Sequence, residues 1–205
     1  MKTVWKSIAI VALIALSYYL WDVYVNYKFR TISENKVYKS GLIKPSKIES
    51  FLIDNKINTV INLLDPGVQD SLNPAQQKHI DAEDEAITEV NRKNNLKIKH
   101  VNIPSGQVPT KKTLTKFFEI LDDKSNYPVL IHCYHGVGRA KIYSAIYRIE
   151  YENWKNVDAR DKTRLMVEGF GYKSSFADGK EKGDFLMKYK PRSAGDESTF
   201  NQLKD

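Results

Sequence analysis

Cys133 and Arg139 are the two residues in this chain with the types and spacing to handle a phosphate ester. Cys133 is the only cysteine, and five residues separate it from Arg139. A thiolate is a strong nucleophile, although a free thiol, with a pKa of about 8.5, is little ionised at neutral pH. A guanidinium is a planar fork that holds two phosphate oxygens at once. Between them, Gly136 and Gly138 permit a tight turn and a close approach of backbone to ligand. A phosphate monoester is a dianion that repels most nucleophiles. This set of residues would neutralise its charge and attack it.

The flanking sequence must position that loop. Residues 129–131 form a short apolar, β-branched run that predicts a buried strand. After Arg139, residues Ile142, Ala145, Ile146 and Ile149 recur at helical spacing. A strand therefore runs into a glycine loop, and the loop into a helix N-terminus. Backbone amides and the positive end of the helix dipole face the loop, favouring an anion there and the ionised form of the thiol.

The run His132-Cys133-x-x-Gly136-x-x-Arg139 resembles the signature of the cysteine-dependent protein tyrosine and dual-specificity phosphatases. Further matches to the bacterial dual-specificity-like members fall at residues 37–41, 59–63, 103–104 and 128–133, so the resemblance spans about residues 36–155. It implies that Cys133 attacks phosphorus to form a phosphocysteine, which water hydrolyses, and that Arg139 stabilises the transferring group. It also implies a substrate cradle made of His132, Tyr134, His135, Gly136, Val137 and Gly138. His132 would orient the loop through its ring nitrogens, and His135 would face the substrate. No metal or cofactor enters this chemistry. Rhodaneses also carry a loop cysteine, but on a shorter loop.

The sequence departs from the family pattern twice. Ala140 stands where the family has Ser or Thr, whose hydroxyl helps the sulfur leave the phosphoenzyme. The loop at residues 104–109 carries Gln107 and lacks the family's general-acid aspartate. Asp65, in the turn after residues 58–64, is the substitute, since it stands at the carboxyl end of a strand. Its alternative role is that of a turn residue before Pro66.

Other elements follow in order. A strand and turn are expected at 36–41. A helix is expected behind a Ser46/Glu49 capping box, with a strand at 58–64. Asn73 and Pro74 read as the start of a helix running to about Asn94, with its acidic stretch 81–85 on a solvated face. A strand at 96–103 leads to a helix bearing Leu114, Phe117, Phe118 and Leu121, and a short helix spans about 156–167. Strands alternating with helices argue for an α/β domain. The expected fold is a three-layer phosphatase fold with a central, largely parallel sheet flanked by helices and preceded by an N-terminal membrane helix.

Three segments are expected: 1–26 as a membrane anchor or signal segment, 27–172 as the phosphatase domain, and 173–205 as a polar, partly disordered extension docked through Phe185, Leu186 and Tyr189. Lys2 and Lys6 precede an uncharged, mostly apolar run, and Tyr18, Tyr19, Trp21 and Tyr24 resemble an interfacial belt. The positive-inside rule keeps the lysines cytoplasmic and puts the catalytic domain outside the cytoplasm, at a bacterial inner membrane facing the periplasm. If the segment is cleaved near Ser17, the protein is secreted. The net charge of +7 suits an anionic substrate or membrane surface, but the scattered basic residues do not form a nucleic-acid reader. The partners expected are thus a phosphorylated protein, inositol phosphate or lipid, and a membrane. The competing readings are a pseudophosphatase that binds phosphorylated ligands without turnover and a sulfurtransferase of the rhodanese type.

Overall fold

The computed structural model describes residues 2–67, 76–164, 168 and 171–203. Helix α1, Lys2–Tyr24, leads into the domain with its side chains exposed from residue 4 to 21. Its stretch Val4–Tyr24 has a mean hydropathy of 1.6 and is long and apolar enough to cross a membrane.

A five-stranded sheet follows, built from β1 (Arg30–Ser33), β2 (Val37–Ser40), β3 (Thr59–Asn62), β4 (Lys99–Asn102) and β5 (Val129–His132). Their order across the sheet is β1-β2-β5-β3-β4. Only the β1–β2 pair is antiparallel. The sheet is flanked by α2 (Pro45–Asp54), α3 (Gln77–Asn94), α4 (Lys111–Asp122), α5 (Arg139–Glu152) and α6 (Asn156–Asp161). The expected α/β fold with its largely parallel sheet is present. Strand β1 was not anticipated, because three of its four residues are polar and only Ile32 packs on the core.

Side-chain alternation along β5 sorts the site. Val129, Ile131 and Cys133 enter the apolar cluster formed with α4 and α5, whereas Leu130 joins the cluster with α2 and α3. The parallel register aligns Ser40, Asn62 and His132, so the strands' carboxyl ends share one edge and Cys133 follows directly.

Several local expectations change. Pro45 opens α2 after Lys44, so Ser46 lies inside the helix and no side-chain cap forms there. The Asn73–Pro74 start lies outside the described residues, and α3 is described from Gln77. The strand expected over 96–103 forms only at Lys99–Asn102, since Asn95 turns left-handed to close α3. Glu83, expected on a solvated face, is buried beside Ile80, Ile87 and Val90. The C-terminal segment carries α7 (Glu181–Lys188) and α8 (Thr199–Gln202). Leu186 and Tyr189 are buried, and Phe200 packs edge-on against Phe118 at 5.7 Å.

Candidate active site

The loop between β5 and α5 is pressed against the turn after β2. Gly136 has φ +68°, and a Cβ there would lie 2.5 Å from the Gly41 nitrogen, so only glycine fits. Leu42 N donates to Tyr134 O at 3.1 Å across the same seam. Helix α5 starts behind Gly138 without a side-chain cap. No side chain therefore blocks an anion at this helix N-terminus, where Lys141 N donates to Gly138 O at 3.0 Å.

Arg139 is buried, with its guanidinium fixed from several sides. Nη1 donates to Leu63 O at 2.7 Å and Ser105 O at 3.2 Å, and Nη2 donates to Gln76 Oε1 at 3.2 Å. These bonds tie it to the end of β3 and the loop after β4, so its position is set before any ligand arrives. Cys133 and Arg139 share a pocket of about 280 Å³ whose loop wall also includes His135, Val137 and Gly138. The residue after the arginine, Ala140, is fully buried.

Of the remaining wall, only Gln107 was legible in sequence. Gln107 and, from the C-terminal segment, Phe176 and Lys182 face the same space. Lys182 Nζ donates to Gln107 Oε1 at 2.5 Å and lies 5.7 Å from the Phe176 ring centre. It sits 3.1 Å from where a Cβ of Gly138 would be, beside the loop that would hold the phosphate. No motif marks this lysine. Its chemistry depends on α7 folding back over the site.

Some expected site residues lie elsewhere. The His132 ring is on the opposite face of β5 from Cys133, with Nε2 2.9 Å from Glu83 Oε2. That follows from the two-residue strand period. The Tyr134 ring packs against His79 at 5.5 Å, outside the pocket. Gly136 shapes the loop without lining the pocket. Asp65 also stays off the pocket wall: its Oδ1 accepts from Gly67 N at 3.1 Å, and its own amide donates to Gln76 Oε1 at 3.2 Å. Gln76 thus links the Asp65 turn to Arg139.

Behind the loop, Glu83 gathers side chains from three strands. It accepts from Asn62 Nδ2 at 2.6 Å and lies 3.0 Å from His100 Nε2, besides its contact with His132. Burial alone would raise its carboxyl. The charge of His132 and the hydrogen bonds of both histidines outweigh that and hold it at about 2. Burial likewise opposes protonation of His100, yet Glu83 and Asp84 together raise it. The clue in sequence was that Glu83 stands in phase with Ile80, Ile87 and Val90.

Residues 29–177 match the family described as DSP-PTPase phosphatase fused to NAD+ kinase. The chain belongs to this phosphatase family. Within the DSP-PTPase superfamily, solved structures share its fold. The core catalytic domain of the PP-IP phosphatase Siw14 from S. cerevisiae aligns at 20% identity and a TM-score of 0.54, covering 79% of this chain and 85% of that one. P. aeruginosa TpbA aligns at 17% identity and a TM-score of 0.53, covering 86% and 90%. A comparison with curated proteins finds no significant match. The cysteine-dependent phosphatase superfamily and the fold expected from the sequence are both found.

Proposed function

We propose that this DSP-PTPase member is a phosphomonoesterase that works through a phosphocysteine. The observation that carries the reading is that Cys133 and Arg139 share one pocket at the N-terminus of α5. Cys133 Sγ attacks phosphorus, forming the S–P bond as the ester P–O bond breaks. The departing oxygen takes a proton. Water then attacks phosphorus, the S–P bond breaks, and orthophosphate leaves with the thiolate regenerated. Arg139 and the α5 amides stabilise the equatorial oxygens. Lys182 adds a second cation at the pocket wall. The substrate classes that fit this chemistry are phosphotyrosine or other phosphoprotein, inositol phosphate and phospholipid. Asp65 is the candidate acid, in the turn beside Gln76, which it meets through its backbone amide.

Helix α1 would anchor the chain, with Lys2 and Lys6 cytoplasmic and the catalytic domain outside. A C-terminal reporter active only outside the cytoplasm should then be active on this chain. A stable but inactive fusion would reverse the orientation.

A second reading is a pseudophosphatase, favoured by Ala140 and Gln107. A phosphate-monoester panel on the wild type and Cys133→Ser separates the two. Turnover that Cys133→Ser abolishes, with phosphate binding retained, supports the enzyme. No turnover in the wild type leaves the binding module, and activity retained in Cys133→Ser refutes the covalent step.

A further inference from the structure

A second concave surface lies where α1 meets the domain. This cleft of about 780 Å³ is lined by Lys28, Arg30, Lys39, Lys141, Arg148 and Lys162. Among the described residues, Asp22 is the only carboxylate lining it, and it is already paired with Arg30 at 2.7 Å. The other cations contact carbonyls where partners are defined. Lys141 Nζ donates to Thr163 O at 2.7 Å, and Lys39 Nζ to Lys28 O at 3.1 Å. The Nε of Arg148 is buried without a hydrogen-bond partner. Among the described residues, six cations thus line the cleft against one carboxylate, with Glu168 and Glu152 acting on Lys141 and Arg148 from outside the lining. Burial, with neighbouring cations, pulls the Lys39 ammonium down to about 7 and that of Lys141 to about 8. The cleft would gain from an anion.

Its place in the chain indicates which anion. Tyr19 and Asp22, both on α1, form part of the lining. They lie in the last turns of the membrane-length stretch, among the aromatic residues Tyr18, Trp21 and Tyr24 that suit the headgroup level. A cleft at that depth opens on phosphate-bearing headgroups. Its inner side is the back of the catalytic loop: Lys28 Nζ donates to His135 O at 3.2 Å, and Lys39 Nζ to Gly136 O at 3.0 Å. Val137 lines both this cleft and the cysteine's pocket.

We propose that this cleft binds the phosphate of an anionic phospholipid headgroup from the bilayer that holds α1. The inference rests on the anchor reading of α1 and is independent of the catalytic one. A bound headgroup seats the domain against the membrane and draws Lys28 and Lys39 toward lipid, so that occupancy is felt at the loop carbonyls of His135 and Gly136.

The test uses the full chain in phosphatidylcholine bilayers containing trace spin-labelled phosphatidylglycerol or phosphatidylcholine. The motionally restricted fraction of each label is measured. The anionic label should be preferred by about five-fold, since basic residues near a membrane surface each attract anionic lipid appreciably. Lys141→Gln with Lys162→Gln should remove most of the preference. Lys112→Gln with Lys116→Gln, which removes the same charge from α4, should keep it. Should the cleft pair fail to fold, the exposed single change Lys162→Glu serves in its place and should lower the preference at least two-fold. Equal restriction of the two labels overturns the proposal, as does a preference that the cleft and α4 variants change alike. Loss of the preference on adding millimolar inorganic phosphate at constant ionic strength assigns the cleft to the free ion and overturns the lipid source. Release of the chain by alkaline carbonate shows that α1 is not embedded and overturns it too. Phosphatase activity is read in none of these arms, so their outcome stands apart from the catalytic reading.

Discussion

Lys182 Nζ donates to the side-chain oxygen of Gln107 at 2.5 Å, tying α7 to the loop before α4 at the wall of the pocket that holds Cys133. Both residues are far from the signature in sequence. They meet because Leu186 and Tyr189 bury the C-terminal segment against α5 and α6, where Asn156 Nδ2 donates to Leu186 O at 2.8 Å and to Tyr189 O at 2.6 Å. A cation held there can share the charge of a bound phosphate with Arg139. Lys182→Met should raise KM for a phosphate monoester about ten-fold, because a charged hydrogen bond contributes about 1.5–3 kcal/mol, and should change kcat less. Steady-state kinetics check this. A loss of thermal stability with KM unchanged would make Lys182 a structural tie.

Ala140 is a departure from the family pattern that activity should report. The residue is fully buried at the start of α5, next to Arg139. Without a hydroxyl at this position, the sulfur lacks a donor as it leaves phosphorus, so phosphoenzyme hydrolysis should be slow. Rapid-mixing kinetics with an aryl phosphate should show a burst in the wild type and a smaller burst in Ala140→Ser, with a faster steady state. A wild type without a burst places the slow step elsewhere.

The phosphate loop was legible because its strand, glycines, arginine and helix are contiguous and each obeys a local rule. The parallel sheet was legible for the same reason. What was missed depends on tertiary contact. Ser46 and Glu49 have a capping spacing, but Pro45 starts α2 two residues earlier than that box requires. His132 read as part of the loop, yet strand alternation turns its ring to Glu83 and leaves Cys133 on the other face. Lys182 has no periodic or motif signal, and only the fold of α7 brings it to the site.

The buried Glu83 makes a prediction about pH. Its carboxyl is held at about 2 in the folded protein, below its ordinary value of 4.5. The stabilisation is therefore complete above the ordinary value and lost as pH falls from about 4.5 toward 2. His100 has the opposite sign. It is raised above its ordinary 6.5, so its contribution is present at lower pH and lost as pH rises through its folded value. Glu83→Gln should flatten the acid limb of stability against pH and cost on the order of 3 kcal/mol at neutral pH. Denaturant unfolding of the full chain in micelles across pH 2–8 measures both effects. An acid limb as steep in Glu83→Gln as in the wild type would show that other carboxylates control it.

The last prediction concerns the leaving-group proton. An alkyl phosphate leaves a poor alkoxide and needs an acid, whereas a phenol departs with less help. The 104–109 loop presents Gln107 to the pocket, and an amide cannot act as that acid. Aryl phosphates should therefore be turned over about 10²–10⁴ times faster than alkyl ones, the usual range for general acid catalysis. Gln107→Asp restores a carboxyl at the pocket wall and should narrow that ratio. The new carboxyl would also face Lys182, whose charge favours its ionised form, so the gain should appear chiefly at lower pH, where more of it is protonated. Asp65→Asn addresses the remaining candidate. If Asp65 supplies the proton through its turn beside Gln76, this change should lower kcat for the alkyl substrate by a large factor, spare the activated phenyl ester, and flatten the alkaline limb of the rate profile. An equal effect on both substrates, or on neither, makes Asp65 a turn residue whose Oδ1 caps Gly67, with the proton coming from water or from the substrate itself.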